Sequence, residues 1–452
     1  MEYLEMNANT HFLPKMNALV SMVKTADFMS SEEVVARKVT LQKKEYEVVP
    51  WGDTDDLPLQ IIEKIYNSPV LTSGHLFNIN LGYGEGIMPC YIEAEETGKK
   101  KVIPVLDNEE INLFFEENDI SLYLLEQLSD LNFFYNVFPE IILSLEKKVV
   151  SLKSKEAAYS RVTTMNKKTG KIEYHLYSAQ WGIKTPADDE VAVTPILDYH
   201  NPIRDLKIRM GLLPDEKGRT QQPKDYRFIV PVSFPTPGKF YYQKPYWYSI
   251  IESGWYDYAA RIPSFKNALL DNQMFIKYQI ELADTYFTDI FNSEGITDDA
   301  AKKARIRKEY DNINAFLSGA ENSGKSVISF AKYTPDGREL RKMKIIPIEQ
   351  KPVGGEYLDD SEEASNIGSY ALGVHPSLIG SSPGKAKTIN GTEARELFII
   401  KQAMLKPIRD RILKPLYLVK HINGWDPKIQ FIIPHIELTT LDSGSGSKEV
   451  LS

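Results

Sequence analysis

Apolar positions along the chain change period from one stretch to the next. From Leu57 to Tyr66, from Val70 to Leu81 and across Asn108 to Asn132 they recur at helical spacing, which predicts helices with one buried face. Asn108 ahead of Glu109 and Glu110 predicts an N-cap followed by an acidic first turn. The first fifty residues look irregular until Tyr46 to Pro50, which reads as a strand, as does Ile87 to Glu93. From Val137 to Tyr177 the pattern shortens to strands. There Tyr159–Met165 and Lys171–Tyr177 flank Asn166-Lys167-Lys168-Thr169-Gly170 as a predicted hairpin. Thr185 to Pro223, rich in Pro and Asp, reads as linker.

Farther on, Tyr246 to Asn272 predicts one long helix and Phe275 to Leu282 a strand. Thr297 to Leu317 predicts a helix opened by Thr297-Asp298-Asp299. Val327–Lys332 and Met343–Ile348 predict strands around the turn Pro335-Asp336-Gly337, and Glu356 to Ala371 a helix with an acidic start. Glu393 to Val419 predicts a last long helix kinked by Pro407 and Pro415, because a proline inside a helix removes a hydrogen bond. Ile429 to Leu438 predicts a terminal strand that Pro434 confines to an edge or a bulge. Asp442 to Ser452 reads as a Ser/Gly-rich tail, expected to be mobile. Helices and strands mix without a βαβ rhythm, so the expected class is α+β.

Composition narrows the function classes. The 452 residues are 42% hydrophobic and 26% charged, the profile of a globular chain with two to four folding units. One cysteine, Cys90, excludes an intrachain disulfide and a cysteine-based zinc site, which suits a reducing cytosol. No secretory signal or membrane-length apolar run is expected. The seven histidines lack an i, i+4 pair for a metal, so no metal or other cofactor is expected. Asp55-Asp56 and Asp298-Asp299 read as acids attracted to helix starts rather than cation ligands.

Two glycine motifs imitate phosphate loops. Gly82, Gly84 and Gly86 follow a predicted helix and precede a strand, the reverse of a dinucleotide fingerprint. Gly319-Ala320-Glu321-Asn322-Ser323-Gly324-Lys325-Ser326 has the spelling of a Walker A loop. Its chemistry needs backbone amides wrapped round phosphate between a strand and a helix, and the predicted order is again reversed. It reads as a helix-to-strand turn, and no enzyme activity is expected.

Charge is unevenly spread. The chain carries −8 overall, yet Lys385 to Lys428 holds ten Lys/Arg against four acids. Two of the cations, Lys385 and Lys387, sit beside Gly380-Ser381-Ser382-Pro383-Gly384. This is a candidate loop for touching phosphates without gripping them. A second run, Lys302, Lys303, Arg305, Arg307 and Lys308, lies on a predicted helix as a candidate docking face for a protein partner.

In chain order, several segments resemble tailed-bacteriophage portal proteins, in particular those of Bacteroidetes phages and prophages. Val49-Pro50-Trp51-Gly52 through Asp56-Leu57-Pro58 is similar to an early family segment. Gly319 to Ile328 is similar to a turn of the family's clip, and Gly373-Val374-His375-Pro376-Ser377-Leu378-Ile379-Gly380 to a further family segment, with His375 at a usual proline. Glu393, Arg395, Phe398 and Pro407 fit the helix that follows. The resemblance spans residues 45 to 440. It implies an α+β portal fold: N-terminal arm and α/β wing over 1–245, stem helices over 246–273 and 354–373, and an α/β clip over 274–353. A tunnel loop over 374–392, a kinked tunnel helix and wing strand over 393–440 and a tail over 441–452 complete it, with the crown short or absent. It further implies a homo-oligomeric ring of twelve copies in the virion, assembled in the host cytoplasm. Its partners would be the major capsid protein, the terminase large subunit, the head-tail adaptor and double-stranded DNA bound without sequence preference, with no membrane. Ser381, Ser382, Lys385, Lys387 and Thr388 would face DNA, and the Lys302–Lys308 cations would meet the clip's partner.

Overall fold

The computed structural model describes the chain apart from residues 1–3, 8–9, 14–17, 22–34, 42, 95–99, 168, 216–217, 221, 274–277, 319–331, 334–338, 341, 348–357, 380–390 and 437–452. The elements run β1 (Leu4–Asn7), β2 (Thr10–Leu13), β3 (Ala18–Ser21), β4 (Arg37–Leu41), β5 (Lys44–Val49), α1 (Leu57–Tyr66), α2 (Pro69–Tyr83), β6 (Met88–Ala94), β7 (Lys100–Pro104), α3 (Glu109–Glu117) and α4 (Ile120–Phe134). Next come β8 (Asn136–Leu143), β9 (Val149–Lys155), β10 (Ser160–Thr163), β11 (Met165–Asn166), β12 (Lys171–Ile172), β13 (Tyr174–Tyr177), β14 (Ala192–Pro195), α5 (Pro202–Arg209), β15 (Arg227–Ile229) and β16 (Val232–Ser233). The remainder is α6 (Ser249–Glu252), α7 (Trp255–Gln273), β17 (Tyr278–Leu282), α8 (Tyr286–Glu294), α9 (Asp299–Ser318), β18 (Lys332–Tyr333), β19 (Glu339–Leu340), β20 (Met343–Pro347), α10 (Leu358–Ala371), α11 (Pro376–Ile379), α12 (Gly391–Ile412), α13 (Lys414–Asn423) and β21 (Gln430–Ile432). The expected α+β class is what the chain adopts.

Two compact units divide it: Met1–Ser249, Ser369–Gly380 and Thr388–Ser452 form the first, Ile250–Gly368 and Ser381–Lys387 the second. In the first unit a five-stranded sheet runs β14-β13-β10-β5-β4, and β8 carries β9 on one side with β15 and β16 on the other. β21 joins β6 and β7, so the C-terminal strand closes a sheet begun by residues more than three hundred positions earlier. The core gathers Leu124, Leu128 and Leu131 of α4, Val137 and Ile141 of β8, Ile412 and Leu416 around the α12–α13 junction, and Phe431 of β21. Leu124, Leu128, Leu131 and Ile141 have no exposed surface, and each such side chain contributes roughly 1.5–3 kcal/mol by leaving water.

Local rules explain the starts of several helices. Asn108 caps α3 by accepting from the Ile111 amide at 3.1 Å, and Ser68 caps α2 with Pro69 in the first turn. Four expectations change. The stretch Tyr246 to Asn272 is a 3-10 turn, α6 and α7, separated at Ser253-Gly254 where Gly254 takes φ +83°. The last long helix breaks at Leu413, so Pro415 lies in the first turn of α13, where its missing N–H costs nothing, and Pro407 alone lies inside α12. Thr185 to Pro223, expected as linker, contains β14 and α5. The terminal strand is confined to Gln430–Ile432, ahead of Pro434.

The second unit pairs β17 with β20 and β18 with β19. α8 lies against α9 through the edge-to-face rings of Phe287 and Tyr310, with centroids 5.8 Å apart. Among the described residues no helix is long and apolar enough to cross a membrane.

Candidate interaction surfaces

The cationic run on α9 is displayed by a capped helix. The Asp298 carboxylate accepts from the Ala301 amide at 3.0 Å, as the Thr297-Asp298-Asp299 signal predicts. The five cations then part company. The Arg305 guanidinium is clamped between Glu294 at 2.9 Å and Glu309 at 2.7 Å. Hydrogen bonds that it donates to these two carboxylates raise its pKa, and Arg305 in turn lowers that of Glu309. Burial, then the Glu309 carboxylate that its hydroxyl donates to, push the Tyr286 phenol up to about 12. Lys302 leans on Asp299 at 3.4 Å. Lys303, Arg307 and Lys308 are exposed. Lys303 and Arg307 stand one turn apart on the same face, followed by Tyr310, which is 53% exposed. Arg305 is therefore a brace, and the presented surface is Lys303, Arg307, Lys308 and Tyr310.

The other predicted loop, Ser381, Ser382, Lys385, Lys387 and Thr388, lies outside the described residues, as does Gly319 to Ser326 with its Lys325. Helix α9 ends at Ser318, immediately before that glycine motif, in keeping with the helix-first order that argues against a phosphate loop.

The rest of the basic stretch is described, and it is not one outward cationic face. Lys401, only 6% exposed, donates to the Leu372 carbonyl at 3.1 Å and the Gly373 carbonyl at 2.9 Å, just past the end of α10. Arg409 donates to the carbonyls of Leu81 at 2.6 Å and Gly82 at 3.1 Å near the end of α2, with its Nη1 2.6 Å from His435 Nδ1. Lys420 bonds the carbonyls of Pro427 and Ile429, and Lys414 that of Tyr199. Helix ends leave carbonyls unpaired and carry partial negative charge, so a buried cation satisfies both itself and the turn. Burial still pulls the Lys401 ammonium down to about 8. Lys406 pairs on the surface with Asp410 at 3.0 Å. Formal charge along the sequence could not distinguish these roles.

The segment Trp51 to Asp56 is likewise structural. Asp55 accepts from the Trp51 amide at 2.7 Å and from Arg161 Nε at 2.5 Å. The Arg161 guanidinium also reaches the carbonyls of Asp55, Ala158 and Ser160, and lies 5.8 Å from the ring centroids of both Trp51 and Trp181. Tyr242 stacks on Trp51 at 4.3 Å, while its hydroxyl donates to the Val49 carbonyl and accepts from the Val162 amide. Asp55 thus anchors the turn into α1 through a fully buried cation contributed by β10. The pairing lies 106 positions away in sequence, where no local pattern announces it.

A cleft of about 400 Å³ opens beside this sheet, with Phe138, Val162 and Ile196 at its floor, Tyr199 and Tyr241 along its side and Phe240, 55% exposed, at its rim. Sequence reading did not find it, because its walls come from five separate segments. A strip of apolar side chains also faces outward on α12, where Ile399, Ile400 and Met404 are each more than half exposed.

No protein-family model and no curated protein sequence matches the chain. Among solved structures, the chain is similar to one from the neck of an empty GTA particle computed with C6 symmetry: 14% identity, 87% of this chain and 85% of that chain covered, TM-score 0.53. It is similar to a chain in the virion of a native gene transfer agent (GTA) particle at 14% identity, with the same coverage and TM-score 0.54. It is also similar to one in the neck of a native GTA particle computed with C12 symmetry at 14% identity, covering 88% and 85%, TM-score 0.53. At this identity the likeness establishes a shared fold across nearly the whole of each chain.

Proposed function

We propose that this chain is the subunit of a phage-type portal: a ring of twelve copies at one capsid vertex through which double-stranded DNA enters and leaves. The observation that carries this reading is fold similarity, over 87% of the chain, to chains of particle necks computed with C6 and C12 symmetry. The ordered family-like segments from Val49 to Pro407 agree with it. On this reading the first unit supplies wing and tunnel helix. The second supplies the stem helices, with α7 over Trp255–Gln273 and α10 over Leu358–Ala371, and the clip between them. Rotational symmetry repeats every exposed cation around the axis. Lys385 and Lys387 then form a basic ring inside an acidic assembly, which touches passing phosphates without sequence preference and without holding them. The α9 face of Lys303, Arg307 and Lys308 receives the terminase large subunit during filling and the head-tail adaptor afterwards, both through acidic surfaces. The role is mechanical and electrostatic, with no bond-breaking chemistry.

Electron microscopy of the purified chain tests the ring directly, with closed rings expected as concentration rises. Lys385→Glu with Lys387→Glu is expected to leave rings intact and impair DNA packaging or retention. Normal packaging by that double variant would remove the DNA-contact role. Absence of rings at every concentration would remove the portal reading.

A further inference from the structure

Just past β21 the chain crosses the end of α2 and runs back along α12, held at four points. The Ile433 side chain is buried in the core. The Pro434 carbonyl passes so close to Gly84 that a Cβ there would stand 2.5 Å from its oxygen, and Gly84 takes φ +52°, so glycine is what leaves room for the crossing. Gln402 of α12 donates to the Ile436 carbonyl at 2.9 Å. The fourth contact, Arg409 Nη1 to His435 Nδ1 at 2.6 Å, differs in kind because one partner titrates near neutral pH.

A guanidinium has only N–H donors. His435 must therefore offer a lone pair at Nδ1 and carry its single ring proton on Nε2. A second ring proton would make Nδ1 a donor as well, setting two donors and two positive charges face to face. Arg409 has no room to give way, because it is 4% exposed and bonded to the carbonyls of Leu81 and Gly82. The surrounding charges do not relieve the conflict. On α12, Lys406 adds a second positive field and is itself paired with Asp410 at 3.0 Å. At the α2 end the ionisable neighbours of Gly84 are Tyr83 and the exposed Glu85, and β6 meets the end of β21 with Met88 and Pro89, neither of which titrates. Among the described residues no carboxylate pairs with His435. Burial first, then Arg409 and Lys406, hold the imidazole below its ordinary range.

We infer that residues 433–436 are an acid-released strap: a neutral His435 pins them to Arg409, and protonation of that ring detaches them from α12 and the end of α2 while the rest of the first unit stays folded. The strap is independent of the portal reading. A detached imidazole takes its proton near pH 6.5 and the attached one lower, so the attached state binds fewer protons. Attachment is at full strength above pH 6.5. Each further unit of acid shifts the ratio of attached to detached by about tenfold, until the attached ring itself titrates.

The test is a nitroxide placed on the full-length chain through Ile436→Cys, at a position 42% exposed, with native Cys90 buried and left in place. Its spectrum is expected to be immobilised at pH 7.5 and to gain a mobile component below pH 6.5, at acidities where tryptophan fluorescence still reports a folded chain. His435→Asn keeps an acceptor oxygen where Nδ1 stood and cannot titrate, so it is expected to stay immobilised down to pH 5. His435→Arg fixes a positive charge there and is expected to be mobile already at pH 7.5. A parent spectrum that is the same at pH 7.5 and pH 5 would overturn the strap. So would a His435→Asn chain that loosens at the same pH as the parent, or loosening that coincides with tryptophan-reported unfolding.

Discussion

The two units solve the problem of stability differently. The first buries whole side chains from α4, β8, α12, α13 and β21 against one another. In the second, α8 has no buried residue, and Tyr258, Phe265 and Tyr310 remain 42%, 44% and 53% exposed. What braces it is polar and local: Arg305 between Glu294 and Glu309, Lys342 on Asp289 at 2.8 Å. Area removed from water is the main source of fold stability, and exposed ion pairs add little. Among the described residues its interior is correspondingly thin. The first unit is finished by its own chain.

This contrast can be broken at several points. The largest effect is expected on acidification of the first unit. His75 and His175 are buried with no hydrogen-bond partner for either ring nitrogen among the described residues, and burial pulls each down to about 3, with help from the Lys401 charge at His75 and the Lys155 charge at His175. The unfolded chain takes these protons near pH 6.5 and the folded one does not. The histidines' contribution is therefore full above 6.5 and falls as pH drops from 6.5 toward 3, by roughly 3 kcal/mol per histidine at pH 4, offset in part by buried Asp130, which burial raises to about 7 and which therefore favours the folded state as pH falls. Urea unfolding followed by tryptophan fluorescence from pH 7 to 4 checks this, and a flat profile would refute it.

Next in size, Arg161→Leu leaves the buried Asp55 carboxylate with only the half-exposed Arg37 guanidinium at 3.7 Å and is expected to cost about 3 kcal/mol in the same assay. A change below 1 kcal/mol would mean that water reaches Asp55. The smallest test compares the units directly. Leu128→Ala should cost about 2–5 kcal/mol, and Tyr310→Ala, which removes one edge-to-face contact, about 1 kcal/mol in the unassembled chain. Equal losses would erase the distinction.

Elements whose signals are local were legible in advance. The bounds of α1 at Leu57 and Tyr66, the Asn108 cap of α3 and the Asp298 cap of α9 all depend on residues within one turn. α5 escaped because eight residues opened by Pro202 are too few to show a period. α8 escaped because Tyr286-Phe287-Thr288 begins it with poor helix formers. The α9 cations were identifiable as a face, yet only geometry separates the Arg305 brace from Lys303 and Arg307. The Asp55–Arg161 pair and the cleft lay beyond reach, since both join segments that meet only in the folded chain.

The lysines and arginines bound to carbonyl oxygens have a consequence for how this molecule answers its medium. Lys401, Arg409, Lys414 and Lys420 direct their charge at backbone groups inside the protein, where dissolved ions screen poorly. On the proposed portal reading, raising ionic strength should weaken docking at the exposed α9 cations well before it disturbs the α12–α13 region. Salt becomes a dial that addresses recognition and leaves architecture alone.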